Sequence, residues 1–443
     1  MTDTNSIIVA PATAMGGAIA LIRVSGSGSI ALCDNFFRGR KPLCEAATHT
    51  AHYGTIVDGE RTLDDVLVTI FHAPHSYTGE ESVEISTHGS RYIVSEIISL
   101  LCRGGARVAE AGEFSMRAFL AGRIDLSQAE AVADTIAADS RAAHMMAAVQ
   151  MRGSYSSTLE ELRQQLIKIT SLLELELDFG EEEVEFADRE QLYAMLTQTQ
   201  EVVRHLAGSF RTGNAIREGV GVAIIGEPNV GKSTLLNRLV GDDRAMVSDV
   251  AGTTRDTIEE SRVIDGIRFR FIDTAGLHDT DDQLEQMGID RTNKAIERAD
   301  VIICVTEPDG KPYPKIKLAE HQHLIKVVNK MDTTSRHDKE GVLYVSARCG
   351  TNIDILEKRL VGLYDTTAIN RGDAVVSNAR HYDALRRTDV ALATAKNAID
   401  QQFWSECIAE DIRTATDALG EITGQITNAE ILQSIFSNFC IGK

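Results

Sequence analysis

The chain has 443 residues, with 45 Lys and Arg against 65 Asp and Glu, a formal net charge of −20, 43% hydrophobic and 25% charged residues. At about 150 residues per domain the length implies roughly three domains, and the ordinary composition excludes collagen-like, low-complexity and wholly disordered chains. The charge argues against tight unassisted binding of nucleic acid, whose affinity rests on phosphate contacts, but leaves room for a local basic patch or a basic partner.

The first ~120 residues mix strands and helices. Ala18–Val24 and Val66–Phe71 are apolar runs, and Val83, Ile85 and Thr87 alternate with polar residues as in a strand. Tyr92, Ile93, Ile97, Ile98 and Leu101 recur at helical spacing until Gly104 and Gly105 stop them. From Phe114 to Arg217 the pattern is helical. Ser127-Gln-Ala-Glu130 has the form of a capping box, and Leu159, Leu162, Leu166, Ile169 and Leu173 form one apolar face. The acidic run Gly180–Glu183 reads as a solvated linker. From Gly219 to Tyr364 short apolar strands alternate with helices, the mark of a parallel sheet covered on both faces. An Asp-Gly pair within Val263–Ile267 predicts a hairpin and one antiparallel edge strand. After Asn370 the chain is helical again, with Leu385, Val390, Leu392, Ile431, Leu432, Ile435 and Phe436 as apolar positions. The economical picture is an α/β domain inserted into a helical one, behind an α+β domain. Boundaries fall at 1–118, 119–217, 218–366 and 367–443.

Apolar runs are far shorter than the ~20 residues of a membrane helix. The start, MTDTNS, lacks a signal peptide's basic and apolar regions. A cytoplasmic protein without a membrane partner is expected. Seven scattered cysteines without a C-x-x-C indicate neither a disulfide framework nor a zinc site. Cys440-Ile-Gly-Lys is a poor prenylation box.

Gly226-Glu-Pro-Asn-Val-Gly-Lys-Ser233 fits G-x-x-x-x-G-K-[ST] between a strand and an apolar helix. Its candidate nucleotide contacts are Asn229, Val230, Gly231, Lys232, Ser233 and Thr234. Backbone amides wrap phosphates and the helix N-terminus adds positive potential. Lys232 reaches the β- and γ-phosphates, and Ser233 meets Mg²⁺. Asp273, Thr274, Ala275 and Gly276 follow a strand, the Asp for a Mg²⁺-bound water and the Gly amide for the γ-phosphate. Asn329, Lys330 and Asp332 end a later strand. The Asp carboxylate there can accept from guanine's N1–H and exocyclic amine, and adenine presents no such pair. Ser346, Ala347 and Arg348 end the next strand, where a backbone amide can meet the guanine oxygen. Each piece alone is an ordinary turn; in this order at strand ends they resemble the motif set of translation-factor-related GTPases and point to GTP rather than ATP.

Leu277 stands where Ras-like enzymes carry a water-orienting Gln. Leu cannot orient water, so the catalytic group comes from elsewhere: Asp279, Asp281, Asp282 or Glu285, or a partner. Charge developing between the phosphates also needs a cation. Asn229 either coordinates a monovalent ion there or is simply a turn residue. Ser248, Asp249, Val250, Ala251, Gly252, Thr253 and Thr254 form the switch loop, with carbonyls for such an ion and a Thr hydroxyl for Mg²⁺.

Across essentially the whole chain the sequence resembles the MnmE (TrmE) family of tRNA-modification GTPases. The resemblance rests on GEPNVGKSTLLN, GTTRDT, DTAGL and the ending ITGQITNAEILQSIFSNFCIGK. ALIRVSG, SYTGEE, GEFSMRAFLAGRIDLSQAEA and DFGEEEVEF fit as well. It implies a folate-binding N-terminal α+β domain, a split helical domain and an inserted P-loop GTPase domain. It implies K⁺-stimulated hydrolysis through G-domain dimerisation and a homodimer through the N-terminal domain. The flavoprotein MnmG (GidA), carrying FAD, joins in a heterotetramer. Together they add an aminomethyl or carboxymethylaminomethyl group at C5 of the wobble uridine of certain tRNAs. The one-carbon unit comes from 5,10-methylene- or 5-formyl-tetrahydrofolate. On the same ground Asn229, Ser248, Val250 and Thr253 bind K⁺, Ser233 and Thr254 bind Mg²⁺, Glu285 orients the attacking water and Arg255 supports it. Arg23, Glu80, Arg123 and Lys443 contact folate, with Arg123 standing where relatives often have Lys. Cys440 matches the family's C-terminal cysteine. Two other readings compete: a ribosome-assembly or signalling switch without folate, and a folate-dependent transferase with a degenerate G domain. The folate positions and FCIGK ending oppose the first, and the intact G motifs the second.

Overall fold

Apolar residues collect into two units, Met1–Ala133 with Gly420–Lys443 and Asp134–Leu419. The computed structural model describes residues 6–178, 189–241, 260–272, 293–308, 310, 313–314, 316–319, 321–333, 341–437, 439 and 442.

In the first unit seven strands form one sheet: β1 (Ile8–Pro11), β2 (Ile19–Ser25), β3 (Phe37–Gly39), β4 (Thr50–Asp58), β5 (Arg61–Phe71), β6 (Ser82–His88) and β7 (Arg107–Val108). Their order is β3-β4-β5-β6-β2-β1-β7. Only β1 and β7 pair in parallel. Period-2 alternation puts Ala20, Ile22, Val24, Val68, Ile70, Val83 and Ile85 on one dry face, under the helices Ser29–Phe36 and Arg91–Arg103. The alternate residues, Arg23 and Glu84 among them, face the other way and pair in register. The expected helix at Tyr92–Leu101 forms: Ile97 and Leu101 are buried with Val94 and Leu100, Ile93 and Ile98 pack against the same core, and Tyr92 alone of the expected positions turns outward, 58% exposed.

The capping box is not where the sequence pattern put it. The helix Leu126–Ala137 starts before Ser127. Asp125 Oδ1 accepts from the Gln128 amide at 2.9 Å, and Gln128 Oε1 accepts from the Asp125 amide at 3.0 Å. The reciprocal pair is thus Asp125 and Gln128, because an Asp two residues upstream satisfies the first-turn amides and leaves Ser127 inside the helix.

In the second unit the expected apolar face of the helix Ser154–Asp178 is buried throughout, at Leu159, Leu162, Leu166, Ile169 and Leu173. The helix Arg189–Glu218 feeds directly into a six-stranded sheet: β8 (Val220–Gly226), β9 (Glu260–Ile264), β10 (Ile267–Phe271), β11 (Val301–Thr306), β12 (His323–Val328) and β13 (Leu343–Tyr344). The order is β13-β12-β11-β8-β10-β9, parallel except for the edge strand β9. Asp265 (φ 49°) and Gly266 (φ 83°) form the expected tight turn between β9 and β10. In β11 alternate residues enter different cores, Val301, Ile303 and Val305 on one face, Ile302 and Cys304 on the other. That explains its unbroken apolar run.

After the sheet the chain returns in the helix Ala379–Asp400, which lies antiparallel on Arg189–Glu218. Gln200 Nε2 donates to Asp389 Oδ1 at 2.7 Å, Lys396 Nζ to Gln200 Oε1 at 3.0 Å and the Val376 amide to Ser209 Oγ at 2.9 Å. The sheet therefore leaves and rejoins one helical pair. Val390 does not join that core and is 61% exposed. The acidic Gly180–Glu183 lies outside the described residues.

Two glycines of the helix Arg189–Glu218 test this packing. A Cβ at Gly208 would meet nothing within 4 Å, whereas one at Gly213 would collide with the Val376 carbonyl oxygen. Gly208→Ala should stabilise the protein by about 0.5–1 kcal/mol. Gly213→Ala should destabilise it by about 1–3 kcal/mol. Urea midpoints moving in the same direction for both variants would contradict the helix pairing.

Candidate functional site

The carboxyl ends of β8, β12 and β13 converge on one place. β8 stops at Gly226, where φ is 153° and a Cβ would strike the Val305 carbonyl. The loop turns through Asn229 (φ 64°) and Gly231 (φ 90°) into the helix Lys232–Val240. Leu235, Leu236, Leu239 and Val240 bury the far side of that helix, which fixes the loop against the sheet. The fold thus presents the N-terminus of an anchored helix, wrapped by a glycine-bearing loop, as anion binding requires. Lys232 Nζ lies across the loop and donates to the Gly226 and Glu227 carbonyls at 3.0 and 2.9 Å. Burial pushes its ammonium below the ordinary lysine value.

Asn329 joins this loop to the two strands beside it. Its side chain is enclosed; Nδ2 donates to the Val230 carbonyl at 2.9 Å, and Oδ1 accepts from the Ala347 amide at 2.9 Å. A Cβ on Gly231 would overlap Asn329 Nδ2. Lys330, with φ 62°, donates from Nζ to the Asn229 carbonyl at 2.7 Å and to Glu307 at 2.9 Å. Asp332 is exposed, and its Oδ1 accepts from buried Ser346 Oγ at 2.7 Å. That hydroxyl, then the residue's own amide, with Arg348 and Lys330 nearby, holds the carboxyl below its usual range. It is therefore an anion at neutral pH, with acceptor sites toward solvent. The Ser346 and Ala347 amides are engaged by the Thr351 carbonyl and by Asn329 Oδ1.

The structure thus brings Asn229, Val230, Gly231, Lys232, Ser233 and Thr234 together with Asn329, Lys330, Asp332, Ser346, Ala347 and Arg348. The positions 248–255, 273–276, Glu285, Cys440 and Lys443 lie outside the described residues, as do Asp279, Asp281 and Asp282. Sequence reasoning missed Arg238, one turn and a half beyond Lys232. Its Nε donates to the Ala347 carbonyl at 3.2 Å and its Nη2 to the Arg348 carbonyl at 2.9 Å. It also missed Glu307. Neither has a motif spacing that could have revealed it.

A second polar cluster lies in the first unit, where Arg23 and Glu80 had been singled out. Arg23 donates to Glu84 Oε1 from Nε at 3.0 Å and from Nη2 at 2.9 Å, and its Nη1 reaches the Gly442 carbonyl at 3.4 Å. Its guanidinium lies over the Tyr77 and Phe114 rings. Glu80 accepts from Ser25 Oγ at 3.0 Å and from Arg117 Nη1 at 3.1 Å. A Cβ at Gly79 would meet the Arg123 side chain at 3.3 Å, so Arg123 passes one residue from Glu80. Planar cations, carboxylates and aromatic rings thus lie together in the first unit.

The family model described as the MnmE helical domain matches residues 126–440, and that of the GTP-binding protein TrmE N-terminus matches residues 7–123. The chain is 44% identical over 468 residues to the tRNA modification GTPase MnmE of Flavobacterium johnsoniae, covering 100% of both chains. It is 45% identical over 456 residues to the protein of the same name from Flavobacterium psychrophilum, covering 98% of this chain and 99% of that one. Among solved structures, the G domain of the T. maritima FeoB iron transporter is 20% identical and aligns with 33% of this chain and 99% of its own, at a TM-score of 0.24.

The Asp332 geometry is tested by base specificity. Asp332→Asn replaces one acceptor by a donor facing guanine's amine. We expect GTP affinity to fall roughly ten- to hundredfold. Xanthosine triphosphate, which carries a carbonyl in that place, should then bind the variant better than GTP does. Fluorescent-nucleotide titration that finds unchanged GTP affinity would remove Asp332 from the site.

Proposed function

We infer the reaction from one premise: this chain belongs to the MnmE family of tRNA modification GTPases. It is accordingly a GTP-hydrolysing enzyme of tRNA modification with a P-loop G domain. No helix of the described residues is long and apolar enough to cross a membrane.

Beyond that, we propose that the chain works as a cytoplasmic homodimer with the flavoprotein MnmG, which brings FAD. The pair adds a carboxymethylaminomethyl or aminomethyl group to C5 of the wobble uridine, with a tetrahydrofolate derivative as one-carbon donor. Residues 1–118 bind folate and dimerise, 218–366 form the G domain, and 119–217 with 367–443 form the helical domain. The observation that carries the nucleotide part is the Asn329 side chain, which locks the P-loop to the loop bearing Ser346, Ala347 and Arg348. It holds the phosphate and base ends of one ligand at a fixed separation.

The residues at hand fit GTP. The turn at Gly231 and the helix behind it offer backbone amides to phosphates, and Asp332 offers an ionised acceptor pair to guanine. Lys232 exchanges its loop carbonyls for the β- and γ-phosphates. Ser233 and Thr254 hold Mg²⁺, and Asn229, Ser248, Val250 and Thr253 hold K⁺. These cations supply positive charge where the phosphates gain negative charge in the transition state. Glu285 orients the attacking water, the task for which Leu277 has no polar atom, and Arg255 supports the closed switch. Asp249, Ala251 and Gly252 belong to the same nucleotide-binding switch loop. Asp273, Thr274, Ala275 and Gly276 close on the γ-phosphate side. Arg23, Glu80, Arg123 and Lys443 bind the folate. With a net charge of −20, much of the tRNA grip falls to the partner.

GTP hydrolysis in KCl and in NaCl at matched ionic strength tests this reading. We expect strong stimulation by K⁺, its loss in Asn229→Ala, and a fall of about 10²-fold or more in Glu285→Ala. Equal rates in both salts would remove the potassium mechanism, and a normal rate for Glu285→Ala would remove that residue's role.

A further inference from the structure

Arg117, on the helix Glu113–Leu120, is the most deeply placed cation among the described residues of the first unit, 2% exposed. Its partners divide into two groups. On one side lies Glu113, 1% exposed, which accepts from Arg117 Nη2 at 3.0 Å. Glu113 also takes Arg107 Nη1 on Oε2 at 2.8 Å and Nη2 on Oε1 at 2.5 Å, together with the Glu110 amide at 3.0 Å. Burial would raise its carboxyl, but these bonds outweigh it and hold the group below its ordinary value. On the other side lies Glu80, 27% exposed, whose two oxygens are 3.3 and 3.1 Å from Arg117 Nη1. Ser25 Oγ bonds the same Glu80 carboxylate at 3.0 Å and is itself linked to Thr78 Oγ1 at 2.7 Å.

Arg107 gives Glu113 two hydrogen bonds, and Arg117 adds two more, from Nε at 3.3 Å and Nη2 at 3.0 Å. A second guanidinium, taken wholly out of water, is a costly way to stabilise that one carboxylate. Its remaining donor, Nη1, goes to Glu80, a carboxylate that still faces solvent at 27% exposure. The Ser6 carbonyl, at 2.9 Å from Nη2, fixes the guanidinium's tilt. Held by the guanidinium through both oxygens and by the Ser25 hydroxyl, the partly exposed Glu80 carboxylate is fixed in orientation.

We propose that Arg117, with Ser25, is a positioning residue for folate: it fixes the Glu80 carboxylate, which in turn accepts hydrogen bonds from the donor edge of the ligand's heterocycle. This rests on the folate reading of Glu80 given above. Lysine cannot replace the guanidinium, because one ammonium cannot serve Glu113 and Glu80 in the same plane.

Calorimetric titration of the full-length chain with 5-formyltetrahydrofolate tests it, on wild type, Arg117→Lys, Glu80→Gln and the double variant. We expect Arg117→Lys to weaken binding roughly ten- to hundredfold, and the double variant to bind no more weakly than Glu80→Gln alone, since one residue acts through the other. A merely structural arginine would give losses that add. Additive losses, or wild-type affinity in Arg117→Lys, would overturn the proposal. Should Arg117→Lys fail to fold by far-UV circular dichroism, Ser25→Ala is read instead; roughly fivefold weaker binding supports the proposal, and unchanged binding overturns it. No binding by wild type would defeat the folate reading itself and this inference with it, and the wild-type curve alone separates that failure from the other.

Discussion

The enclosed side chain of Asn329 is the constraint on which the nucleotide site depends. Its amide nitrogen holds the Val230 carbonyl and its amide oxygen holds the Ala347 amide. Each bond contributes only about 1 kcal/mol net, but a buried group left without its partner costs about 1–3 kcal/mol. The loop at the end of β8 and the loop at the end of β13 therefore move together or not at all. Gly231 is part of the same constraint, since any side chain there would displace the Asn329 amide. Lys330 and Arg238 reinforce the tie from either side, one on the Asn229 carbonyl and the other on the carbonyls of Ala347 and Arg348. A triphosphate site and a base site made of separate loops thereby become one rigid receptor, with little ordering left to offset on binding.

Much of this was legible in the sequence because the pieces are local. A P-loop is a contiguous string with a strand before it and a helix after it, and an Asp-Gly turn between apolar residues specifies its own hairpin. The parallel sheet could be read from unbroken apolar runs such as Val301–Val305. What escaped was set by contacts distant in sequence. The sequence marks Asn329 as a candidate nucleotide contact but not as the tie between Val230 and Ala347, 99 and 18 residues away. Arg238 carried no motif. The capping box slipped by two residues because two overlapping patterns, at Asp125 and at Ser127, compete for the same helix start. Only the bonds between Asp125 and Gln128 decide between them. In the helix Arg91–Arg103, packing against the sheet buries the face centred on Ile97 and turns Tyr92 outward.

The first unit solves a different problem with the same economy. Its sheet has one apolar face and one on which charges meet, and register alone sets Arg23 opposite Glu84. Alternation then leaves Ser25 and the segment before β6 on the route to Glu80. The buried pair of Arg117 and Glu113 lies beneath, its charges balanced by Arg107 and Glu80. Charges are placed here at a cost in desolvation, offset by their mutual hydrogen bonds. The nucleotide site, by contrast, has Asp332 at the surface, held anionic by Ser346.

The central claim is that this GTPase drives modification of tRNA. Its most direct test is nucleoside mass spectrometry of unmodified tRNA incubated with the full-length chain, MnmG, GTP, a tetrahydrofolate one-carbon donor and K⁺. We expect the C5-modified uridine at the wobble position only when both proteins and hydrolysable GTP are present. Unmodified uridine in the complete mixture, or equal modification without GTP, would contradict it.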